Sequence, residues 1–335
     1  MTTQDAPSSL AGKTIVVLTP TFNDWLSVRD LLPLIDRAIA SVGARGKVVV
    51  IDDGSTDDRG RSDVSGLDLS AIESVDELAL TRNQGNQRAL AIGIGFVADR
   101  MAGDFLIVMD SDHEDDPKYI PELLQDCLRD GERSIVFAKR AERSEGLAFR
   151  AMYWIYRHLF RLFTGTRISV GNFSVIPWSR VPRLANVGEL WSHFPAAIMR
   201  SRLPYRSIPT ARGRRLHGKS TMNTVPLIAH AFGGFAVHAE SFAVRALIAA
   251  TVLAGVIFLM GLGLVALRLF TDIPITGWTS VVIGVLGIML FQIIGMAVNT
   301  LFLVLGLRAQ RPMIPIQEYG RFIVGVTRLR GRPEA

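Results

Sequence analysis

The sequence predicts an α/β fold, in which a mainly parallel sheet is covered by helices on both faces and is followed by a pair of membrane-spanning helices. Strand-like and helical patterns alternate between Lys13 and Met109, carboxylate-rich clusters follow several of these strands, and two long apolar runs lie close to the C-terminus. Such alternation is typical of parallel sheets, which bind ligands beyond the carboxyl ends of their strands.

The alternating elements follow from two patterns. Short apolar or β-branched runs predict strands, whereas apolar residues spaced three and four apart predict helices. In chain order the elements are a strand at Lys13–Thr19, a helix at Asp24–Val42, strands at Lys47–Ile51 and Glu77–Thr81, a helix at Gln84–Met101 and a strand at Asp104–Met109.

The apolar runs, Ala246–Leu267 and Val281–Leu307, predict a transmembrane hairpin. Each is about 20 residues or longer, which spans a ~30 Å hydrocarbon core, and neither shows the polar face of a soluble core helix. The connector Phe270–Ser280 contains no Lys or Arg, whereas arginines crowd the segment after the second run. This asymmetry predicts an external tip and cytoplasmic termini. Residues 1–12 lack a secretory signal pattern, so the N-terminal part is expected in the cytoplasm.

Composition narrows the class of protein. The net charge of +6 and pI of about 9.8 come with no nucleic-acid motif, and much of the basic excess lies between Arg157 and Lys219, where it suits lipid headgroups and phosphates. The single cysteine, Cys127, excludes an intrachain disulfide and suggests neither a zinc site nor a redox pair.

These observations predict a division of the chain into segments. They are an N-terminal tail at 1–12, a catalytic domain at 13–220, interfacial amphipathic helices at 221–242, a transmembrane hairpin at 243–307 and a basic cytoplasmic tail at 308–335. A second candidate membrane-facing helix lies at Tyr153–Phe163, and domain packing is the alternative for both interfacial segments. Small residues would permit close helix contacts in a homo-oligomer: Gly284, Gly287, Gly295 and Ala297.

Polar clusters follow the predicted strands at Thr19–Asp24, Asp52–Asp57 and Asp110–Pro117. The second cluster alone is ordinary turn chemistry. The third gathers carboxylates, which is unfavourable unless a cation offsets their repulsion, and its Asp-x-Asp pattern offers hard oxygen ligands to Mg²⁺ or Mn²⁺. Because magnesium commonly binds one or two carboxylates plus substrate phosphates, the cluster predicts a nucleotide diphosphate.

The order of these motifs resembles glycosyltransferase family 2, which has the nucleotide-sugar-binding GT-A fold. The resemblance is to the branch of dolichyl-phosphate mannose synthase and bacterial polyprenyl-phosphate glycosyltransferases. It runs from Ile15 to about Arg321 through Val17–Asp24, Val50–Asp57, Arg82–Gly85, Val108–Asp112, Arg140, Gly171–Ser174, Arg215 and Gly218–Ser220.

The resemblance implies roles for individual residues. The pocket for base and ribose would comprise Pro20, Phe22, Asp24, Ile51 and Asp53. Diphosphate and sugar would meet Asp110, Ser111 and Asp112, the metal would bind Asp112 and Glu114, and further substrate contacts would come from Lys219 and Ser220. Arg140 and Arg215 would steady donor and acceptor phosphates, which suits the guanidinium fork.

The chain departs from the family pattern at two positions. Asn172 stands where relatives often have an aspartate. Thr221 stands where the synthases have a lysine, and the neighbouring Lys219 would take over the role of that lysine. Asparagine cannot act as a carboxylate base. A polyprenyl phosphate acceptor needs none, whereas a hydroxyl acceptor would need Glu189 or His193, unless Glu189 merely begins a helix.

The resemblance implies a metal-dependent, inverting glycosyltransferase that moves a sugar from a nucleotide diphosphate sugar to a polyprenyl phosphate at the cytoplasmic membrane face. One alternative is transfer to a hydroxyl of a glycolipid, another membrane lipid or a polysaccharide. Another is a membrane scaffold that binds nucleotide sugar without turnover, against which the intact Asp110, Asp112 and Glu114 argue. The sugar, the nucleotide, the exact lipid and the choice between Mg²⁺ and Mn²⁺ stay open.

Overall fold

A computed structural model describes residues 10–140, 170–211, 213, 215, 233, 236–271, 277–309 and 311–331. The chain divides into two compact units. The first contains the described residues up to 140, from 170 to 237 and from 313 onward, and the second contains those from 238 to 312.

The first unit alternates strands and helices as predicted. Its strands are β1 (Thr14–Thr21), β2 (Arg45–Asp52), β3 (Ile72–Leu80), β4 (Phe105–Val108), β5 (Ile135–Arg140), β6 (Ser174–Pro177), β7 (Tyr205–Thr210) and β8 (Ile323–Arg330). Helices are numbered along the whole chain, and α6 and α7 belong to the second unit. The helices of the first unit are α1 (Trp25–Ala40), α2 (Asn86–Arg100), α3 (Ile120–Arg129), α4 (Val181–Ala185), α5 (Phe194–Arg200) and α8 (Pro315–Glu318). Short 3₁₀ turns lie at Ser62–Gly66, Pro117–Tyr119, Trp178–Arg180, Gly188–Trp191 and Tyr319–Phe322.

The strands form one 8-stranded sheet in the order β7-β5-β6-β4-β1-β2-β3-β8. The central pairs β4-β1, β1-β2 and β2-β3 are parallel, whereas β6 and β8 run antiparallel to their neighbours. One buried cluster joins α1 and α3 to Val17 and Val50, and a second joins α2, α4 and α5 to Val16 and Val49. This architecture confirms the predicted α/β class, because alternate residues of the same strands bury both faces of the sheet.

β3 begins earlier than the sequence predicts. The expected strand started at Glu77, but the observed strand starts at Ile72 and includes buried Ser74 and Asp76. Because these two residues are polar, the sequence pattern did not indicate a buried strand here, since charged groups are rarely buried unless they are paired. Here Asp76 is paired with Arg328, which is remote in the sequence.

The C-terminal segment differs from the basic cytoplasmic tail predicted for residues 308–335. Ile323–Arg330 is strand β8, which pairs with β3 at the edge of the sheet. The guanidinium of Arg330 donates to the backbone carbonyls of Leu67, Leu69 and Ile72 at 3.0, 2.9 and 2.8 Å. Arg328 and Arg330 of this segment therefore bind β3 and the residues before it, which a count of charges along the sequence could not indicate.

The second unit contains two 32-residue helices, α6 (Ala239–Phe270) and α7 (Trp278–Ala309). They contain the two predicted apolar runs and extend beyond them at both ends. Both helices are long and apolar enough to cross a membrane, and their apolar windows are 6% and 0% buried. A soluble core helix would be largely buried, so this exposure favours the lipid bilayer as their surroundings.

The predicted interfacial segments lie largely outside the described residues. This applies to Tyr153–Phe163 as a whole. Of the segment 221–242, the structure describes residue 233 and those from 236 onward, where α6 already begins at Ala239. The assignment of both segments to the membrane interface stays a prediction.

We expect Gly95→Ala to destabilise the first unit by about 1–3 kcal/mol. A Cβ at Gly95 in α2 would lie 2.7 Å from the backbone oxygen of Pro315, so the C-terminal segment would have to shift. Denaturant unfolding of the detergent-solubilised protein measures the change. Gly66→Ala is the control, because a Cβ at Gly66 meets no atom within 4 Å. Equal stability of the two variants would contradict the docking of this segment on α2.

Candidate active site

The carboxyl ends of β1, β2 and β4 lie side by side. β1 pairs in parallel with both other strands, with Thr21 opposite Asp52 and Leu18 opposite Val108. The polar clusters that follow these strands therefore meet at one edge of the sheet, as the sequence predicted.

Hydrogen bonds join the β1 cluster to the β2 cluster. The side-chain oxygen of Asn23 accepts the backbone N–H groups of Thr56 and Asp57 at 2.7 and 2.9 Å. In return, the hydroxyl oxygen of Ser55 accepts the N–H of Asn23 at 2.8 Å. Asn23 has φ 52°, a left-handed conformation that asparagine tolerates better than most residues. These contacts fix the loop after β1 against the loop after β2.

The loop after β2 also holds the Arg82–Gly85 turn. Both carboxylate oxygens of Asp53 accept backbone N–H groups, from Gln84 at 2.6 Å and Gly85 at 2.8 Å. Gly54 has φ 75°, and a Cβ there would lie 2.8 Å from the backbone of the turn, so a larger residue would separate the two loops. Asp53 therefore positions the beginning of α2.

The buried position of Asp53 affects its ionisation. Burial raises the pKa of this carboxyl, the Gln84 and Gly85 N–H groups lower it, and the charge of Asp52 raises it, so that the net shift is upward. Asp52 accepts the indole N–H of buried Trp25 at 3.2 Å and the backbone N–H of Ser55 at 2.8 Å. The two adjacent carboxylates are thus engaged by donors within the fold.

Asp110 lies at the centre of an amide network. Its Oδ1 accepts the side-chain N–H groups of Asn86 at 3.2 Å and Asn172 at 3.1 Å. The side-chain oxygen of Asn172 accepts from Gln87 at 3.3 Å, and the oxygen of Gln87 accepts the N–H of Phe194 at 2.6 Å. The network orients the Asp110 carboxylate from the first turns of α2 and α5, and within it Asn172 donates to Asp110.

Asp112 and Glu114 converge on a single cation, the guanidinium of Arg215. A nitrogen of Arg215 pairs with Asp112 Oδ2, and its Nε lies 3.9 Å from Glu114 Oε1. The segment carrying Arg215 is held at the loop by Gly213, whose N–H donates to the Glu114 carbonyl at 2.9 Å. A Cβ at Gly213 would lie 2.0 Å from the His113 carbonyl oxygen, so only glycine allows this approach.

The donor set of this loop fits a divalent cation. Among the described residues, no group of three or more His, Cys, Asp or Glu side chains forms a complete protein cage. Mg²⁺ is nevertheless commonly bound by one or two carboxylates together with substrate phosphates, and Asp112 and Glu114 offer such a pair of carboxylates. Their side chains are 19% and 16% exposed, which leaves access from solvent.

The other predicted site residues differ in burial and in their contacts. Ile51 is fully buried, and a Cβ at Gly93 would lie 2.4 Å from its Cδ1, so its side chain packs on α2 instead of lining the predicted base pocket. Pro20 and Ser111 are also buried, whereas Phe22 is 45% exposed and Asp24 accepts the hydroxyl of Ser27 at 2.7 Å. Arg140 ends β5, and its side chain, like Lys219 and Ser220, lies outside the description.

The two candidate bases are engaged in local structure. Glu189 lies in the first turn of the 3₁₀ segment Gly188–Trp191 and accepts from Arg200 at 2.9 Å, in line with the alternative of a helix start. His193 is 7% exposed and caps α5, with its Nδ1 accepting the N–H of Ala196 at 3.3 Å. Both side chains therefore have structural partners.

Sequence reasoning missed Asn86 and Gln87. Both lie in the first turn of α2, directly after the Arg82–Gly85 turn that was recognised. That proximity was the available signal, but their partners Asp110, Asn172 and Phe194 come from remote parts of the chain.

Comparison with known proteins adds a family match. Residues 16–177 match the family model described as Glycosyl transferase family 2. Together with the mixed α/β sheet, this match confirms the predicted GT-A fold.

Two curated relatives are named for polyprenyl-phosphate substrates. An undecaprenyl-phosphate 4-deoxy-4-formamido-L-arabinose transferase of Klebsiella pneumoniae (strain 342) is 29% identical over 153 residues, covering 46% of this chain and 45% of the relative. A dodecaprenyl-phosphate galacturonate synthase of Rhizobium johnstonii (strain DSM 114642 / LMG 32736 / 3841) is 30% identical over 204 residues, covering 58% and 56%. The chain thus spans about half the length of these relatives.

A solved structure is also similar. It is glucosyl-3-phosphoglycerate synthase from Mycobacterium tuberculosis in complex with Mn²⁺, uridine-diphosphate-glucose and phosphoglyceric acid, with a TM-score of 0.49 and 17% identity over 69% of this chain and 80% of that one. The sequence match over residues 16–177 and the strand-end site agree with one another. Residues 16–177 of this chain are thus similar to glycosyl transferase family 2.

Proposed function

We propose that this protein is a metal-dependent, inverting glycosyltransferase that transfers a sugar from a nucleotide diphosphate sugar to a polyprenyl phosphate. The observation that carries the proposal is the convergence of Asp112 and Glu114 on one positive group at the strand-end site of a family 2 chain. The polyprenyl phosphate acceptor is supported by the names of the two curated relatives.

A divalent cation held by Asp112 and Glu114 would neutralise charge on the departing diphosphate. Asp110, oriented by Asn86 and Asn172, would face the donor sugar and diphosphate. Arg215 lies beside the same carboxylates and supplies a guanidinium suited to phosphate oxygens. In an inverting displacement, the acceptor oxygen attacks the anomeric carbon as the bond from that carbon to the diphosphate breaks.

The chemistry of the acceptor decides whether a base is required. A phosphate oxygen is already anionic at neutral pH, so it can attack without losing a proton to a side chain. Asn172, beside Asp110, is an amide and cannot accept that proton. Glu189 and His193 are bound to Arg200 and to the α5 backbone. This arrangement favours the phosphate acceptor over the hydroxyl alternative.

We further propose that α6 and α7 insert the protein in a bacterial-type inner membrane with its catalytic domain in the cytoplasm. The low burial of both apolar helices supports insertion. The orientation rests on the contrast between the connector after Phe270, which has no Lys or Arg, and the arginine-rich sequence after α7.

Asp112→Asn is expected to reduce transfer by ~10²-fold or more, because a neutral amide is a poorer partner for the cation that stabilises the leaving diphosphate. Radiolabel transfer from nucleotide sugar into lipid measures turnover, and Mn²⁺ titration by electron paramagnetic resonance measures cation binding. Asp116→Asn in the same loop is the control, since it keeps an oxygen that can accept the Lys118 N–H. Normal turnover and Mn²⁺ binding in Asp112→Asn would sink the assignment.

Glu189→Gln and His193→Asn are each expected to retain turnover within about tenfold, whereas removal of a general base commonly costs 10²–10⁴-fold. Asparagine can still cap α5, so the histidine variant separates capping from proton transfer. Turnover is measured at saturating donor, together with the acid lability of the product. A collapse in either variant with an acid-stable product would favour the hydroxyl acceptor.

A cysteine introduced at Thr276, between α6 and α7, is expected to react from outside intact cells with an impermeant maleimide. The background is Cys127→Ser, although burial already raises the pKa of the Cys127 thiol to about 12 and so suppresses its reactive thiolate near neutral pH. Labelling only after permeabilisation would reverse the orientation. A cysteine at exposed Asp63 is the matched control and should react only after permeabilisation.

A further inference from the structure

Two amide side chains are exposed on the apolar surface of α7. Gln292 and Asn299 both belong to the membrane-span candidate Ser280–Gly306. At 1.5 Å rise per residue, Gln292 lies roughly 20 Å from either end of this span, and Asn299 roughly 10 Å from the nearer end. Within an inserted helix, both amides therefore face the hydrocarbon core.

The helix itself does not satisfy these amides. The hydroxyls of Thr251 and Thr300 donate to backbone carbonyls four residues earlier, at 2.9 and 2.8 Å, so the helices supply their partners. In the described part of the chain, the structure gives Gln292 and Asn299 no such contact. Hydrocarbon offers no hydrogen bond, so an amide left in it is strongly unfavourable.

The amides share one face of α7. Exposed residues follow one another at intervals of four and three: Val281, Val285, Ile288, Gln292, Gly295 and Asn299. We call this face the amide stripe. Such spacing forms a continuous contact seam for a second helix. The stripe is distinct from the groove shared with α6, which α7 lines with Ile293, Ile294, Ala297, Val298 and Leu301.

Gly295 leaves room between the amides. A Cβ built on this residue would meet no atom within 4 Å, so the space beside it is open in a single copy of the chain. A small residue at this place lets the backbone of a second helix approach, which brings short amide side chains within reach of their partners.

We propose that the amide stripe is the contact surface between two copies of this chain in the membrane. All copies insert in the same orientation, so their α7 helices run parallel. A two-fold axis along the membrane normal then places each residue opposite the same residue of the second copy, at equal depth. An amide both donates and accepts, so two glutamines or two asparagines satisfy each other reciprocally. A different partner would need polar groups at both depths, whereas a second copy supplies them by symmetry.

The test uses the full-length chain, tagged at its N-terminus with a donor or an acceptor fluorophore, in vesicles of phosphatidylethanolamine and phosphatidylglycerol. Energy transfer is followed as the protein is diluted with lipid. We expect Gln292→Leu combined with Asn299→Leu to weaken association about tenfold or more. Gly295→Ile should weaken it as well, because the added side chain has space in one copy and obstructs only a second copy.

Thr300→Val is the matched control and should associate like the wild type, because the Thr300 hydroxyl is satisfied by the Met296 carbonyl. Circular dichroism verifies equal helix content, and Gln292→Asn, which keeps an amide, should restore most of the association that Gln292→Leu loses. A wild-type chain without energy transfer at any dilution, or a double leucine variant that associates like the wild type, would overturn the proposal. Association that requires another membrane protein would overturn it too.

Discussion

The candidate active site depends on the repulsion among carboxylates that one edge of the sheet brings together. Such a cluster is stable only where donors or cations surround each charge. Asp53 is held by two backbone N–H groups, Asp110 by the amides of Asn86 and Asn172, and Asp112 by Arg215. These donors come from separate loops and helices. The carboxylates therefore determine which loops and helices meet at this edge of the sheet.

The same rule operates away from the site. Asp76 and Glu77 are buried in β3 at 6% and 3% exposure, and each is paired with an arginine, Arg328 and Arg61 respectively. Burying one member of such a pair alone would be strongly destabilising. The pairing with Arg328 specifies the register in which β8 joins the sheet, a function that apolar contacts at an exposed edge would perform less selectively.

The sequence was sufficient for the fold class and for the meeting of the strand-end clusters, because periodicity and strand ends are local signals. Features that depend on remote partners were not accessible. The polar first half of β3 reads as a strand only when Arg328 is known to lie beside it. Ile51 precedes the acidic loop in sequence, but alternation along β2 turns its side chain into the core. Asn86 and Gln87 gain their roles from residues that only the folded chain brings near them.

Because β8 lies near the end of the described sequence, the sheet can be completed only late in synthesis. The ribosome completes β3 long before it reaches Ile323, and between them it must produce both apolar helices. At about 5–20 residues per second, the interval is on the order of tens of seconds. Throughout it, the edge of β3 that later pairs with β8 stays exposed, and such an edge can pair with other chains, while Asp76 lacks Arg328. A delay in translating the helix pair therefore prolongs the exposure of an aggregation-prone edge on the nascent sheet.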